Sequence, residues 1–358
     1  MPIPTRHALF CLSVWITLLI PRISFSQPVV VGPDQPVDAQ TRSAVIQELI
    51  RQLQTQYVFP KVAAQIGQAI QTELATGDYD RITSSKALAD TLTAQMQRIS
   101  HDKHLRLFYQ SKPVQSSGAE SKADEQVALE QHGRQINFGF GKPERLPGNI
   151  GYLRVDEFML VELAAQTATV VMTYLGQTNA LILDLRHNRG GEPDMVAYLA
   201  SYFFGPDSVH LNDIVSKGGG SVQSYWTHGQ VPGKRYVGKP LYILTSKKTF
   251  SAGEEFAYDL QALKRATIVG ESTAGGAHSG ERVRIGDHFT AFIPVEYAVN
   301  PITHTNWEGT GVKPDMATRE SQALKAAHLT ALNSQYPTAS AARKKAIRNL
   351  IEQVSRAD

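Results

Sequence analysis

The sequence predicts an α/β protein in which a small helical bundle precedes a largely parallel sheet covered by helices. Three patterns carry that expectation. Val45, Leu49, Leu53 and Val58 recur at spacings of four and five, which places them on one face of a helix. From about residue 148, short aliphatic runs alternate with segments of helical length, the order expected of strands joined by crossover helices. Those runs do not alternate polar with apolar residues, so both faces of the sheet should be buried. Of the 358 residues, 42% are hydrophobic, enough for a substantial core and too many for a disordered chain.

Taken in order, residues 1–26 read as a secretory signal. Arg6 and His7 precede the apolar run from Ala8 to Ile20, and Ser24-Phe25-Ser26 makes a small, polar exit that leaves Gln27 as the new N-terminus. The run is about 13 residues long, too short to span a bilayer unaided. An uncleaved anchor is the alternative reading. Cys11, the single cysteine, sits inside that run. The mature chain is therefore expected to lack disulfides, a thiol nucleophile and cysteine metal sites, and to be exported to the periplasm or the extracellular space. No later stretch approaches eighteen apolar residues, so no membrane span is expected in the mature chain.

After a proline-rich lead-in, residues 39–75 carry helical periodicity that Pro60 interrupts, and a further helix is expected from about Lys86 to Ile99 behind the Ser84-Ser85 cap. Residues 38–110 form the helical domain. The Ser- and Gln-rich stretch 111–135 reads as a linker or exposed loop within a connection spanning 111–147. In the sheet domain, 148–335, strands are expected at Ile150 to Val155, Ala180 to Leu185, Pro240 to Thr245 and Ala266 to Gly270. Helices are expected at Met195 to Phe204, Ala252 to Leu263 and Gln322 to Leu332. A C-terminal helix, Ala341 to Val354, occupies 336–358.

Charge excludes several functions. Lys+Arg number 36 against 33 Asp+Glu, a balance that predicts no nucleic-acid partner. There is no H-E-x-x-H, EF-hand loop, Walker A or strand-linked G-x-G-x-x-G, so neither a metal nor a cofactor is expected; Gly139-Phe140-Gly141 lacks the third glycine.

Chemistry in a parallel α/β sheet gathers where strands end and helices begin, because unpaired N–H groups face outward there. Two junctions qualify. Asp184-Leu185-Arg186-His187-Asn188-Arg189-Gly190-Gly191 runs from a strand into a glycine turn whose amides can face an anion or a developing oxyanion. A plain turn needing positive φ reads the same way. In Thr249-Phe250-Ser251-Ala252-Gly253-Glu254-Glu255, Ser251 stands where a helix begins, with its own amide and that of Ala252 free to hold a tetrahedral intermediate. The competing reading is a capping box, Ser251-x-x-Glu254, in which the hydroxyl satisfies a helix amide.

Those two segments, followed by Ile268-Val269-Gly270-Glu271-Ser272-Thr273-Ala274-Gly275-Gly276, resemble the S41 peptidases. That family contains the tail-specific (C-terminal processing) proteases, the tricorn core protease and the interphotoreceptor retinoid-binding protein. The helices around Tyr57-Val58-Phe59-Pro60 resemble the lead domain of the retinoid-binding-protein-like branch, and the likeness covers most of residues 40–318. It implies a ClpP/crotonase-like spiral in the catalytic domain and a serine nucleophile, Ser251.

The resemblance also bears on how the serine is activated. Tail-specific proteases pair it with a lysine in the loop beyond the next strand. Here that loop, Ser272 to His278, has none, and Lys264 precedes the strand. The roughly forty residues between Tyr109 and Ile150 are too few for the PDZ domain those enzymes carry. The tricorn-like alternative takes its base from Asp102-Lys103-His104-Leu105 and its acid from Asn306-Trp307-Glu308-Gly309, making His104 the base and Glu308 its support. Lys103 departs from that pattern, standing where tricorn has a serine. His101, His187 and His278 are rival bases, and Glu308 reads equally as a solvated loop charge. Ala252 supplies one oxyanion donor. Gly190 and Gly191 compete for the other, the family pattern favouring the second. Phe158, Tyr202, Phe203 and Phe204 read as core.

The resemblance thus implies a secreted serine peptidase that acts on peptides or unfolded proteins through an acyl-enzyme. A non-catalytic binder of apolar ligands such as a retinoid or fatty acid is the second use of the scaffold. A crotonase-like acyl-CoA enzyme is a third, disfavoured by export.

Overall fold

Helices begin where the sequence supplies caps. The computed structural model describes residues 32–114 and 119–356; residues 1–26, read above as a secretory signal, lie outside them together with Cys11. Asp38 accepts the Thr41 N–H at 2.7 Å and opens α1 (Ala39–Gln56). Pro60 is the first residue of α2 (Pro60–Thr76), where its missing N–H has no helical partner to lose. Ser84 accepts the Ala87 N–H at 2.9 Å and opens α3 (Ser85–Ser100), as the paired serines suggested. Val45, Leu49, Leu53 and Val58 are all buried.

β1 (Arg106–Tyr109) follows. Residues 111–135, read as a linker or exposed loop, instead carry α4 (Ala119–Gln135), and the connection beyond it holds β2 (Glu144–Leu146). Ala, Glu, Gln and Lys in α4 are strong helix formers, and the polarity that suggested a loop is that of a helix facing water. Then come β3 (Ile150–Arg154), α5 (Val161–Leu175), β4 (Ala180–Asp184), α6 (Pro193–Ala200), β5 (His210–Ser216), β6 (Val222–Trp226) and β7 (Leu241–Thr245). They are followed by α7 (Ala252–Ala262), β8 (Thr267–Gly270), β9 (His278–Arg284), β10 (Phe289–Val299), β11 (Met316–Ala317), α8 (Ala323–Gln335) and α9 (Ala341–Arg356).

The larger sheet has the order β11-β8-β7-β4-β3-β2, parallel throughout except at the β2–β3 edge. Its aliphatic strands are buried on both faces, as their unbroken runs required. Leu181 and Leu183 of β4 pack with residues of α5, α6 and α7, among them Met172, Leu199 and Phe256. Ala180 and Ile182, pointing the other way, pack with Ala327 and Leu332 of α8 and Ile347 of α9. The α/β class with a helical bundle ahead of it is the class the sequence predicts.

The second sheet is antiparallel. β10 is its spine, paired with β9 along one edge and with β1 and then β5 along the other, while β6 lies outside β5. The bundle covers this sheet: Ile46, Leu49, Ile66 and Leu92 share one core with Phe289, Ala291 and Ile293 of β10. Because β4, β7 and β8 are parallel, the loops that follow them emerge side by side at one end of the larger sheet. Among the described residues, no helix is long and apolar enough to cross a membrane.

The shared core makes a stability test. Phe289 is 1% exposed. Phe289→Ala is expected to destabilise the protein by about 3–5 kcal/mol, read by urea denaturation. The bundle and the antiparallel sheet should still melt in one transition, so separate transitions would show that the two do not share that core.

Candidate active site

Ser251 closes the turn between β7 and α7 with φ 54° and ψ −124°, a region a non-glycine residue occupies only when its surroundings impose it. Three contacts impose it. Phe250 N–H donates to the Asn188 carbonyl at 3.0 Å. Ser251 N–H donates to Glu254 Oε2 at 2.9 Å. The Ser251 carbonyl accepts the N–H groups of Glu254 and Glu255 at 2.8 and 3.0 Å. Ser251 and Glu254 form the capping box that their spacing allows, Glu254 accepting the Ser251 N–H and the Ser251 side chain lying at the Glu254 N–H.

The loop after β4 lies against this turn. Asn188 is fully buried; its Nδ2 donates to Val155 O at 3.0 Å and its Oδ1 accepts the Gly190 N–H at 2.9 Å. A Cβ on Gly190 would meet Ser251 Cβ at 2.7 Å, so only glycine fits behind the serine. Gly191, at φ 131°, faces Phe158: a Cβ there would lie 2.0 Å from the Phe158 carbonyl oxygen. With the Gly190 amide already bonded, the N–H groups of Gly191 and Ala252 remain, and neither donates to a protein acceptor among the described residues.

Glu254 lies at the centre of the site. Its carboxylate also accepts from Thr273 Oγ1 at 2.5 Å, Gly275 N–H at 2.6 Å and Gly276 N–H at 2.9 Å. Burial pushes its pKa up to about 7 against the pull of those hydrogen bonds. Thr273 Oγ1 accepts the Val312 N–H at 2.6 Å, and Trp307 Nε1 donates to the Gly276 carbonyl at 2.7 Å. The loop that lacks a lysine is therefore fixed by Glu254 on one side and by residues 307–312 on the other. Lys264 lies before β8, at the opposite end of the parallel strands from Ser251.

His104 reaches this region from the segment between α3 and β1. Its ring packs on Phe250, the residue before Ser251, with centroids 4.3 Å apart, and a Cβ on Gly276 would touch its Cε1 at 2.8 Å. Nδ1 of His104 is buried without a hydrogen-bond partner, and burial lowers the pKa to about 4, so the imidazole is neutral at pH 7. No hydrogen bond joins His104 to Ser251. Asp102 Oδ1 accepts the His104 N–H at 2.9 Å, while Asp102 Oδ2 accepts the Tyr57 hydroxyl at 3.0 Å and lies 2.7 Å from Nδ1 of His278. Glu308 is no solvated loop charge. Its side chain is 18% exposed, Oε2 accepts the Ala277 N–H at 2.5 Å and lies 3.7 Å from His278 Nδ1, and burial raises its pKa to about 7. Lys103 donates to the Ala274 carbonyl, tying this segment to the glycine loop.

Of the rival histidines, His101 is exposed at the end of α3, and His187 is exposed with Nε2 3.5 Å from Glu320. His278 belongs to the Asp102 network. Sequence reasoning did not assign Asp102 a role, and Glu254 entered only as a capping partner; the D-x-H and S-x-x-E spacings were the available signals. Phe158, Tyr202 and Phe203 are buried core, and Phe204 packs partly buried against them. Phe158 also lines a cleft of about 290 Å³ beside Gly190 and Gly191, walled by Ile136, Met159 and Leu160 and edged by Glu157 and Glu192.

The family model described as "Peptidase family S41" matches residues 149–318, and that for the "N-terminal domain of Peptidase_S41 in eukaryotic IRBP" matches residues 39–136. The chain belongs to peptidase family S41. Among curated relatives, a chloroplastic carboxyl-terminal-processing peptidase 2 of Arabidopsis thaliana is 27% identical over 183 residues, covering 48% of this chain and 33% of its own. A carboxy-terminal-processing protease of Bartonella bacilliformis is 25% identical over 180 residues, covering 49% and 40%. The chain thus matches only a third to two fifths of the length of these S41 relatives. Among solved structures, a Streptococcus agalactiae lipoprotein shares the fold with TM-score 0.53 at 13% identity, covering 84% of this chain and 97% of its own. A candidate peptidase from Parabacteroides merdae does so with TM-score 0.55 at 17% identity, covering 81% and 96%.

Two variants probe this architecture. Gly191→Ala cannot keep the backbone near the Phe158 carbonyl, so it is expected to shift the turn and lower thermal stability measurably, whereas Gly205→Ala, with open space around it, should not. The second concerns α7, whose buried Glu255 Oε1 and Asp259 Oδ2 have no partners; burial raises both pKa values, that of Glu255 to about 7. A carboxyl whose folded pKa exceeds its unfolded one contributes less stability as pH rises from about 4.5 to 7. Glu255→Gln should flatten that fall, gaining roughly 1–3 kcal/mol on the parent at pH 8 relative to pH 5 in urea melts.

Proposed function

We propose that the chain is an exported serine endopeptidase that cleaves peptides or unfolded proteins through an acyl-enzyme. The observation that carries this reading is Ser251: a strained helix-start residue packed against Gly190 and flanked by the unbonded amides of Ala252 and Gly191. Its Oγ attacks the scissile carbonyl carbon and its proton passes to a ring nitrogen of His104. The two amides hold the resulting oxyanion. His104 returns the proton to the leaving amine, and a water molecule then repeats the sequence to release the acid. Glu308 and Asp102 supply negative potential that favours the imidazolium. Gly190 packs behind the serine and holds the turn instead of donating to the oxyanion. The cleft beside Gly191 gives a substrate chain room to lie against these amides. The signal-like residues 1–26 support export. A carrier of apolar ligands would have no use for Ser251, His104 and Glu308 together, so that reading is not favoured.

A fluorophosphonate should label the wild type once, and mass mapping should place the adduct on Ser251. Ser251→Ala is expected to abolish labelling, and His104→Ala to slow it roughly 10⁴-fold or more. An unlabelled wild type, or equal labelling of Ser251→Ala, overturns the proposal. Because the base must be neutral and its pKa is lowered to about 4, labelling should persist at pH 5–6 and fall only as pH drops through about 4.

A further inference from the structure

We infer that Asp102, His104 and Glu308 form a binding site for Zn²⁺, and that the bound ion switches the enzyme off by taking the base away from Ser251. The inhibitory half rests on the reading of His104 as that base; the binding half does not. One ligand atom from each of the three residues lies within 4.8 Å of those of the other two. An acid that merely orients an imidazole would be hydrogen-bonded to it. Here His104 Nδ1 and Glu308 Oε1 are instead both buried and both without a partner, so the protein leaves the bonding capacity of both atoms unused.

The donor types select the ion. One imidazole and two carboxylates suit zinc, which accepts nitrogen and oxygen in four-coordinate geometry, whereas magnesium and calcium require six or more oxygens. Zinc bonds of about 2.0–2.2 Å place the ligand atoms of a tetrahedron roughly 3.5 Å apart, so the side chains would draw together by about 1 Å. Groups behind the ligands already hold them. Asp102 accepts from Tyr57 at 3.0 Å and lies 2.7 Å from His278 Nδ1, and Glu308 Oε2 accepts the Ala277 N–H. A carboxylate offers about four lone-pair sites, so each acid retains one for the ion.

The test titrates zinc chloride into the full-length Ser251→Ala protein by calorimetry, where no turnover interferes. One ion should bind per chain, and His104→Gln or Asp102→Asn should weaken it roughly tenfold or more. Glu308→Gln serves as the second carboxylate variant if thermal melts show that Asp102→Asn has not folded. In wild type, zinc should slow fluorophosphonate labelling at least about tenfold, EDTA should restore it, and magnesium chloride should do neither. Absence of binding, or binding unchanged by His104→Gln, overturns the site. Labelling of metal-free wild type is a separate arm: an unlabelled Ser251 beside intact His104-dependent binding overturns the catalytic reading and the inhibitory half while supporting the site.

Discussion

The candidate site depends on the four hydrogen bonds received by one buried carboxylate. Glu254 collects donors from Ser251, Thr273, Gly275 and Gly276, joining the start of α7 to the loop after β8. Charge-assisted bonds of this kind are stronger than neutral ones, and in a buried setting no water competes for them. They stabilise a backbone conformation at Ser251 that the residue would not adopt alone. The same loop meets Trp307 and Val312, so the segment carrying Glu308 is positioned through Glu254 as well.

Asn188 plays the matching part on the other side. Its side chain fixes Gly190 against the serine, while its carbonyl receives the amide of Phe250. Two loops that follow different strands are thereby held in one relation, which an anion-stabilising pair of amides requires. Parallel strand order is what makes this economical: it brings the ends of β4, β7 and β8 to one side, and a handful of short contacts then completes the arrangement.

Much of this was legible in the residues themselves. Unbroken aliphatic runs at Ile150, Ala180 and Leu241 announced a sheet covered on both faces, and the glycine turn and helix-start serine stood at strand ends where chemistry gathers. The antiparallel sheet was not legible: β9 reads His-Ser-Gly-Glu-Arg-Val-Arg and owes its conformation to its pairing with β10. α4 was hidden because its polarity masked good helix propensity. Within the site, which glycine keeps a free amide depends on where the Asn188 side chain points, and Asp102 finds His278 across 176 positions of chain. Contacts of that reach are written in tertiary packing and not in local spacing.

One consequence follows from β1. This short strand leaves the bundle and pairs with β10, Arg106 to Tyr109 opposite Phe292 to Phe289, directly after the segment that bears His104. The helical region is therefore stitched into the body of the protein by a ladder of main-chain bonds, with a histidine at the stitch. Excising or grafting that region as a cassette would strip the edge strand β1 from its neighbour β10 and carry off the imidazole in the same cut.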